Sequence, residues 1–296
     1  MSENRMKVGC VGLGIMGRPM SLHVQNGGHE LHIWARRPES LEPLKAAGAN
    51  AHNSLTELIQ SVDVLITNVS DTPDVEQILL GPSGVKETAS SGFTVIDHST
   101  ICPVRTRYMA EALAEMGIDF LDAPVSGGEA GAIAGTLTVM VGGKAPVLEK
   151  LRPIIDCVAG KITHVGDHGA GQITKACNQL IVAQSLVAVS EAISLAEAGG
   201  VDPAAMREAL LGGLAYSKVL EVHGQRMLDR AYPPGFKTRL HSKDMGIVVQ
   251  AAQQLGVPLM GASLAAQWLH TMAEQGRGEE DSAVVAELQR KLAGQS

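Results

Sequence analysis

The segment KVGCVGLGIMG, from Lys7 to Gly17, joins a β-strand signal to a glycine-rich turn. In a GxGxxG turn the first glycine permits a tight bend, the second lets the backbone approach a pyrophosphate, and the third allows close packing of helix on strand. The helix that opens at the turn then points its N-terminus at the phosphates. The alternative is a turn whose glycines serve packing alone. The predicted strand before the turn and the predicted helix after it favour a dinucleotide site. The cofactor contacts would come from Gly12, Leu13, Gly14, Ile15, Met16 and Gly17.

The end of the second predicted strand bears on the choice of cofactor. Sites that prefer NAD usually place Asp or Glu there, where the carboxylate accepts hydrogen bonds from the ribose 2′-hydroxyl. Here the strand ends Ile33-Trp34-Ala35-Arg36-Arg37, without an acid. A guanidinium pairs well with a 2′-phosphate, so Arg36 predicts that NADP(H) is preferred, with NAD(H) possible. Arg37 is the better candidate for a solvated bystander.

Composition narrows the class of protein. The chain has 296 residues, 45% hydrophobic and 19% charged, which is typical of a globular protein of two domains or one large α/β unit. A net charge of −7 and an aromatic content of 3% argue against nucleic-acid binding, and no polybasic arm suggests a membrane surface. Four scattered cysteines and ten histidines form no metal-ligand pattern. Without a signal-peptide pattern, the expected location is the cytoplasm.

Periodicity divides the chain in two. Up to about Ile162, short β-branched runs alternate with helical stretches, which predicts a doubly wound, mostly parallel Rossmann sheet of α/β class. After Gly169 the pattern is helical only, beginning with a long inter-domain helix at Ala170 to Ala198 and continuing as an all-α C-terminal domain. We expect domains at 1–165 and 166–296. The long helix is not expected to span a membrane, because Gln184 and Glu191 interrupt its apolar run.

Three further segments follow the glycine turn in order: Asp122-Ala123-Pro124-Val125-Ser126-Gly127-Gly128, then Gly169 to Gln179, then Leu240-His241-Ser242-Lys243-Asp244. With these four segments the whole chain resembles the β-hydroxyacid dehydrogenase family. Within it, Glu129 after the SGG and the phrase Pro234-Gly235-Phe236 resemble the branch that reduces tartronate semialdehyde (2-hydroxy-3-oxopropanoate).

The resemblance implies a role for each of several residues. Lys175 would be the catalytic proton donor. Asn178, on the same helix face at i+3, would bind substrate or orient Lys175. Ser126, Gly127 and Gly128 would hold the substrate carboxylate, a task for which a hydroxyl and closely spaced N–H groups are suited. Thr100 and Lys243 would contact the cofactor. The alternatives are a solvent-facing Lys175, a plain turn at the SGG, a buried amide at Asn178 and a surface Lys243 paired with Asp244.

These expectations define the hypotheses. The first is NADPH-dependent reduction of tartronate semialdehyde to D-glycerate, a small carboxylated aldehyde and its hydroxyacid. The second is turnover of 3-hydroxyisobutyrate, glyoxylate or succinic semialdehyde by the same residues. A non-catalytic nucleotide-binding module is a remote third, because such relatives would be expected to lose the lysine. The resemblance also implies a homodimer or homotetramer.

Overall fold

The computed structural model of the protein describes residues 5–295. The chain divides into two compact units, of which the first ends at Lys175 and the second begins at Ala176. The boundary falls within one long helix, Ala170–Ala198, whose bounds agree with those expected from the sequence. Each unit has a hydrophobic core of its own.

A nine-stranded sheet forms the centre of the first unit, as far as the described residues show. The strands are β1 (Lys7–Val11), β2 (Glu30–Trp34), β3 (Asn50–Ala51), β4 (Val64–Thr67), β5 (Thr94–Asp97), β6 (Asp119–Asp122), β7 (Val125–Ser126), β8 (Leu137–Gly142) and β9 (Ala159–Gly166). Parallel pairing gives the order β3-β2-β1-β4-β5-β6, which is that of a Rossmann fold. β8 runs antiparallel to β6 and β7, and β9 runs parallel to β8.

Helices cover both faces of this sheet. They are α1 (Gly17–Asn26), α2 (Glu42–Ala46), α3 (Leu55–Ser61), α4 (Thr72–Leu80), α5 (Val85–Thr88), α6 (Pro103–Ala114), α7 (Gly128–Ala134), α8 (Ala145–Ile155) and the start of α9 (Ala170–Ala198). Successive strand side chains point to opposite faces. Accordingly Val64 and Ile66 join the core that includes α1 and α8, whereas Leu65 joins the core that includes α3, α4 and α6. The expected Rossmann architecture is confirmed.

The second unit is helical, as expected. It contains the remainder of α9 and α10 (Pro203–Leu211), α11 (Lys218–Asp229), α12 (Thr238–Leu255), α13 (Met260–Met272) and α14 (Val285–Leu292). Its core draws Leu186 and Ile193 from α9 and packs them with Met245, Trp268 and Leu269 from the later helices. The side chains of Asp202 and Ser217 cap the amino ends of α10 and α11.

Helix α9 is long and apolar enough to cross a membrane by length and composition, but half of its most apolar window is buried inside the protein. Polar side chains along it are buried as well, including Gln172, Gln179 and Ser190. The core helix of a soluble protein has the same composition. These buried polar groups indicate a helix that packs against protein.

Asp281 is the polar centre of the second unit. Its carboxylate is fully buried and accepts hydrogen bonds from His223 and Arg226 of α11. It also accepts the backbone N–H groups of Gly235, Phe236 and Ala283. Burial alone would raise the pKa of Asp281, but the hydrogen bonds from His223, Phe236 and Ala283 outweigh it and hold the pKa well below its usual range. One carboxylate thus fixes the chain that leads into α12.

Candidate active site

The glycine turn lies between β1 and α1. A Cβ at Gly12 would lie 2.1 Å from the carbonyl oxygen of Asn68, and one at Gly17 would lie 1.9 Å from the carbonyl oxygen of Gly12. Gly12 also has φ of +92°. At Gly14, by contrast, a Cβ would meet no atom within 4 Å. Packing therefore excludes a side chain at the first and third glycines, while the second borders open space in which a phosphate group could approach the backbone.

Arg36 follows the end of β2, with its side chain 75% exposed. Its Nη2 lies 2.9 Å from Oδ1 of Asp74, in the first turn of α4. An exposed pair of this kind contributes little to stability, so the guanidinium can exchange its partner at small cost. Arg37 is exposed beside it. The sequence reasoning did not foresee Asp74.

Buried polar groups hold the loop after β5. Asp97 is fully buried, and its Oδ1 accepts the Thr67 hydroxyl at 2.8 Å and the Ser99 N–H at 3.0 Å. Burial raises the pKa of Asp97 to about 6. Burial also lowers the pKa of His98 to about 4, so this imidazole is neutral at pH 7 and donates from Nδ1 to the carbonyl oxygen of Ala123. These bonds fix the half-buried Thr100 at the carboxyl edge of the sheet.

The SGG turn lies at the same edge. Ser126 ends β7 and is half-buried, and the two glycines that follow are exposed. Gly127 and Gly128 have φ of +138° and +61°, values that favour glycine. A Cβ at Gly128 would meet no atom within 4 Å, so its backbone borders open space.

The structure brings Lys175 to this turn. Its side chain is only 8% exposed, and Nζ donates a 2.8 Å hydrogen bond to the carbonyl oxygen of Val125. Val125 immediately precedes Ser126, so a buried ammonium group lies beside the segment predicted to hold a carboxylate. Lys175 does not point into bulk water.

Two side chains to which the sequence reasoning gave no role hold the start of α9. The buried carboxylate of Asp122 accepts the N–H of Gly169 at 2.8 Å and that of Gln172 at 3.0 Å. Burial raises the pKa of Asp122 to about 6. The Gln172 side chain donates to the Ser99 carbonyl at 2.8 Å and accepts the Ile101 N–H at 3.1 Å. Each partner is about 50 or more positions away in sequence, so no local pattern announces them.

The second unit gathers the other predicted residues around Asp244. Asn178 donates to Gln179 at 2.8 Å, and Gln179 donates to Asp244 Oδ2 at 2.6 Å. The ammonium of Lys243 lies 2.8 Å from Asp244 Oδ1, with the lysine side chain 21% exposed. This ion pair is the one that the sequence offers as the alternative for Lys243. The lysine side chain is nevertheless only partly exposed.

Comparison with known families assigns the two halves. Residues 7–166 match the NAD binding domain of 6-phosphogluconate dehydrogenase. Residues 169–288 match the family described as NAD-binding of NADP-dependent 3-hydroxyisobutyrate dehydrogenase.

Individual relatives cover nearly the whole chain. The chain is 42% identical to 2-hydroxy-3-oxopropionate reductase of Escherichia coli, over 96% of this chain and 97% of the relative. It is 35% identical to NAD-dependent L-serine dehydrogenase of Pseudomonas aeruginosa, over 98% and 99%. The solved structure of a 3-hydroxyisobutyrate dehydrogenase from Mycobacterium tuberculosis superposes with a TM-score of 0.90 at 30% identity, over 97% and 99%. The chain therefore belongs to the β-hydroxyacid dehydrogenase family of NAD(P)-dependent oxidoreductases, which act on CH–OH groups.

Proposed function

We propose that this protein reduces tartronate semialdehyde to D-glycerate with NADPH, and that Lys175 donates the proton. The observation that carries the chemistry is the buried ammonium of Lys175, hydrogen-bonded to Val125 next to the SGG turn. The choice of substrate is supported by the 42% identity to a 2-hydroxy-3-oxopropionate reductase.

The proposed chemistry is one hydride and one proton transfer. When bound, the nicotinamide cofactor supplies the hydride to the aldehyde carbon. Negative charge then develops on the aldehyde oxygen, and Lys175 donates a proton to it from Nζ. The products are the alcohol, the oxidised cofactor and a neutral lysine that regains its proton from solvent. Because Lys175 is shielded from water, its charge acts on the developing oxyanion with little screening.

Other residues would bind the reactants. The hydroxyl of Ser126 and the N–H groups of Gly127 and Gly128 would hold the substrate carboxylate. Thr100 would contact the cofactor. In the second unit, Asn178 would contact substrate and Lys243 the nicotinamide end of the cofactor, both steadied by the bonds to Gln179 and Asp244.

A panel of aldehyde acids tests the substrate assignment. Tartronate semialdehyde, 2-methyl-3-oxopropanoate, glyoxylate and succinic semialdehyde are each assayed for oxidation of NADPH and of NADH, with L-serine and 3-hydroxyisobutyrate in the reverse direction. We expect the highest kcat/KM for tartronate semialdehyde with NADPH. A higher kcat/KM for another acid would contradict the substrate but leave the role of Lys175 standing.

Arg36 is proposed to select NADPH through its 2′-phosphate. Arg36→Ala should raise the Kd for NADPH by roughly 10- to 100-fold, the equivalent of about 1.5–3 kcal/mol for hydrogen bonds to a charged group. The Kd for NADH should change little, because NADH carries no 2′-phosphate. Fluorescence titration with each cofactor measures both constants.

Arg37→Ala is the matched control, since it removes the same charge one residue away. It should leave the ratio of the two dissociation constants near that of the wild type. Asp74→Asn, made together with Arg36→Ala, removes any repulsion from the carboxylate left behind. Equal losses for NADPH and NADH in Arg36→Ala would refute the assignment.

Gly14→Ala should separate cofactor binding from folding. Its new methyl group faces open space in the free protein, so the free energy of unfolding should hardly change. The same methyl group would keep a pyrophosphate from the backbone, and we expect the Kd for NADPH to rise at least about tenfold, or 1.4 kcal/mol. Gly17→Ala should destabilise the protein itself, because its Cβ would overlap the carbonyl of Gly12. Unchanged NADPH binding in Gly14→Ala would place the cofactor elsewhere.

We further propose that the protein works as a cytoplasmic homodimer or homotetramer. Within the second unit, Ile181 and Leu195 of α9 are 62% and 75% exposed, and Met260 of α13 is 85% exposed. Exposed apolar side chains of this size favour contact with another protein surface. Light scattering coupled to gel filtration measures the mass directly, and a monomer at micromolar concentration would refute the assembly.

A further inference from the structure

The amino end of α9 is tied to the sheet by two buried side chains, Asp122 and Gln172, which we call the α9 anchor. Asp122 and Gln172 are 0% and 1% exposed. The first N–H groups of a helix have no partner within the helix. Asp122 accepts the N–H of Gly169, just before α9, and that of Gln172 in its first turn, and a carboxylate is the favoured partner at this end of a helix dipole.

The anchor joins the two segments that set the position of the Lys175 ammonium. Lys175 lies three residues after Gln172 on the helix, and Val125 lies three residues after Asp122. Two hydrogen bonds therefore connect the same two short segments: the Gln172 N–H donates to Asp122, and Lys175 donates to Val125. Both spans are short, so a change at the anchor is transmitted to the ammonium.

Gln172 extends the connection to the loop after β5. Its amide binds the carbonyl of Ser99 and the N–H of Ile101, the residues on either side of Thr100. One side chain thus links the helix that carries Lys175 to the loop proposed to contact the cofactor.

The surroundings of the Asp122 side chain are closely packed. A Cβ at Gly142 would lie 2.6 Å from Asp122 Oδ1, and one at Gly171 would lie 2.5 Å from the Asp122 carbonyl oxygen. Asparagine fits this space in size, whereas glutamate does not. Asparagine has a single acceptor oxygen, however, and its NH₂ group would face one of the two N–H donors.

We propose that Asp122 and Gln172 are positioning residues for the reaction, which hold the Lys175 ammonium in place for proton transfer beside the SGG turn. The inference rests on the proposed role of Lys175. It assigns no contact with the reacting atoms to either residue, so their effect on the chemical step, measured with the cofactor saturating, must pass through Lys175.

A double-mutant cycle tests this dependence, using the aldehyde acid that the wild type reduces fastest. We expect Asp122→Asn to lower kcat by roughly 10- to 100-fold, as a misplacement of about 1 Å does, with the Kd for NADPH unchanged. In the Lys175→Ala background, Asp122→Asn should lower kcat no further. Gln172→Met keeps the length of the side chain but loses both amide bonds to the loop of Thr100, so its Kd for NADPH is expected to rise. At saturating NADPH it should lower kcat in the same way, again only while Lys175 is present, and it carries the test if Asp122→Asn does not fold.

Asp202→Asn is the matched control, because Asp202 likewise accepts a backbone N–H at the start of a helix but lies in the second unit. It should leave kcat unchanged. An undiminished effect of Asp122→Asn in the Lys175→Ala background would overturn the positioning role, because the loss would then not pass through the lysine. Full activity of Lys175→Ala alone would overturn the proposed function, and the positioning role with it.

Discussion

Lys175→Ala is expected to lower turnover by roughly 10²- to 10⁴-fold, the range of a lost general acid, while NADPH binds almost as tightly as before. The reason is that Nζ lies at the SGG turn, where it donates a hydrogen bond to the carbonyl of Val125. Loss of the ammonium leaves the open space at Gly14 and the ion pair of Arg36 as they are. Single-turnover oxidation of NADPH measures the chemical step, and fluorescence titration measures cofactor affinity.

Two further variants sharpen the result. Lys175→Arg keeps a positive charge but does not readily release a proton, so it should remain slow if proton donation is what matters. Lys218→Ala removes a lysine that is 73% exposed and should leave turnover unchanged. Comparable rates in Lys175→Ala and the wild type would end the proposed mechanism and leave a nucleotide-binding fold.

Asp281→Ala is expected to cost about 3–5 kcal/mol of folding free energy, as does breaking a buried ion pair by removing one partner. Arg226 and His223 would lose their carboxylate, and the N–H groups that precede α12 would lose their acceptor. Urea unfolding followed by circular dichroism measures the change.

The charge state gives this prediction a pH dependence. The folded-state pKa of Asp281 lies below its usual value. Its contribution to folding stability is therefore present above the unfolded-state pKa and is lost as the pH falls through the folded-state pKa. The difference in the free energy of unfolding between the wild type and Asp281→Ala should therefore shrink on acidification below about pH 4.

Glu279→Ala is the control for Asp281→Ala, since Glu279 is also paired with two cations, Lys237 and Arg239, but its side chain is 65% exposed. Surface pairs contribute little, so its stability should be close to that of the wild type. A similar loss of unfolding free energy in both variants would show that the buried network around Asp281 stabilises the protein no more than a surface ion pair does.

The sequence predicted those features that local signals encode. β1, β2 and β5 coincide with short runs of apolar and β-branched residues, and α9 ends at the double glycine after Ala198. β3 and β7, two residues each, carry too little pattern to be seen, and the sequence does not distinguish antiparallel from parallel pairing at β8. Strand β9 was missed because most of its side chains are partly or fully exposed, which removes the apolar alternation.

The site shows the same division. The glycine turn, the SGG turn and Lys175 stand in recognisable segments, and the structure brings Lys175 to the SGG turn. Asp74 and Asp122 were given no role because each acts on a residue that another element supplies. Asp244 was named only as the partner of Lys243, and its bond to Gln179 of α9 was not foreseen. A carboxylate that accepts backbone N–H groups from a distant helix leaves no spacing in the sequence.

The two outermost strands of the sheet have a consequence for solubility. β3 is only two residues long, and β9 is interrupted by register shifts against β8 and exposes Lys161 and His164. A short edge strand on one side and an irregular, polar edge strand on the other disfavour pairing with a further strand. Pairing of two copies of this chain through the edges of the sheet, and growth into fibrils by that route, is thus disfavoured.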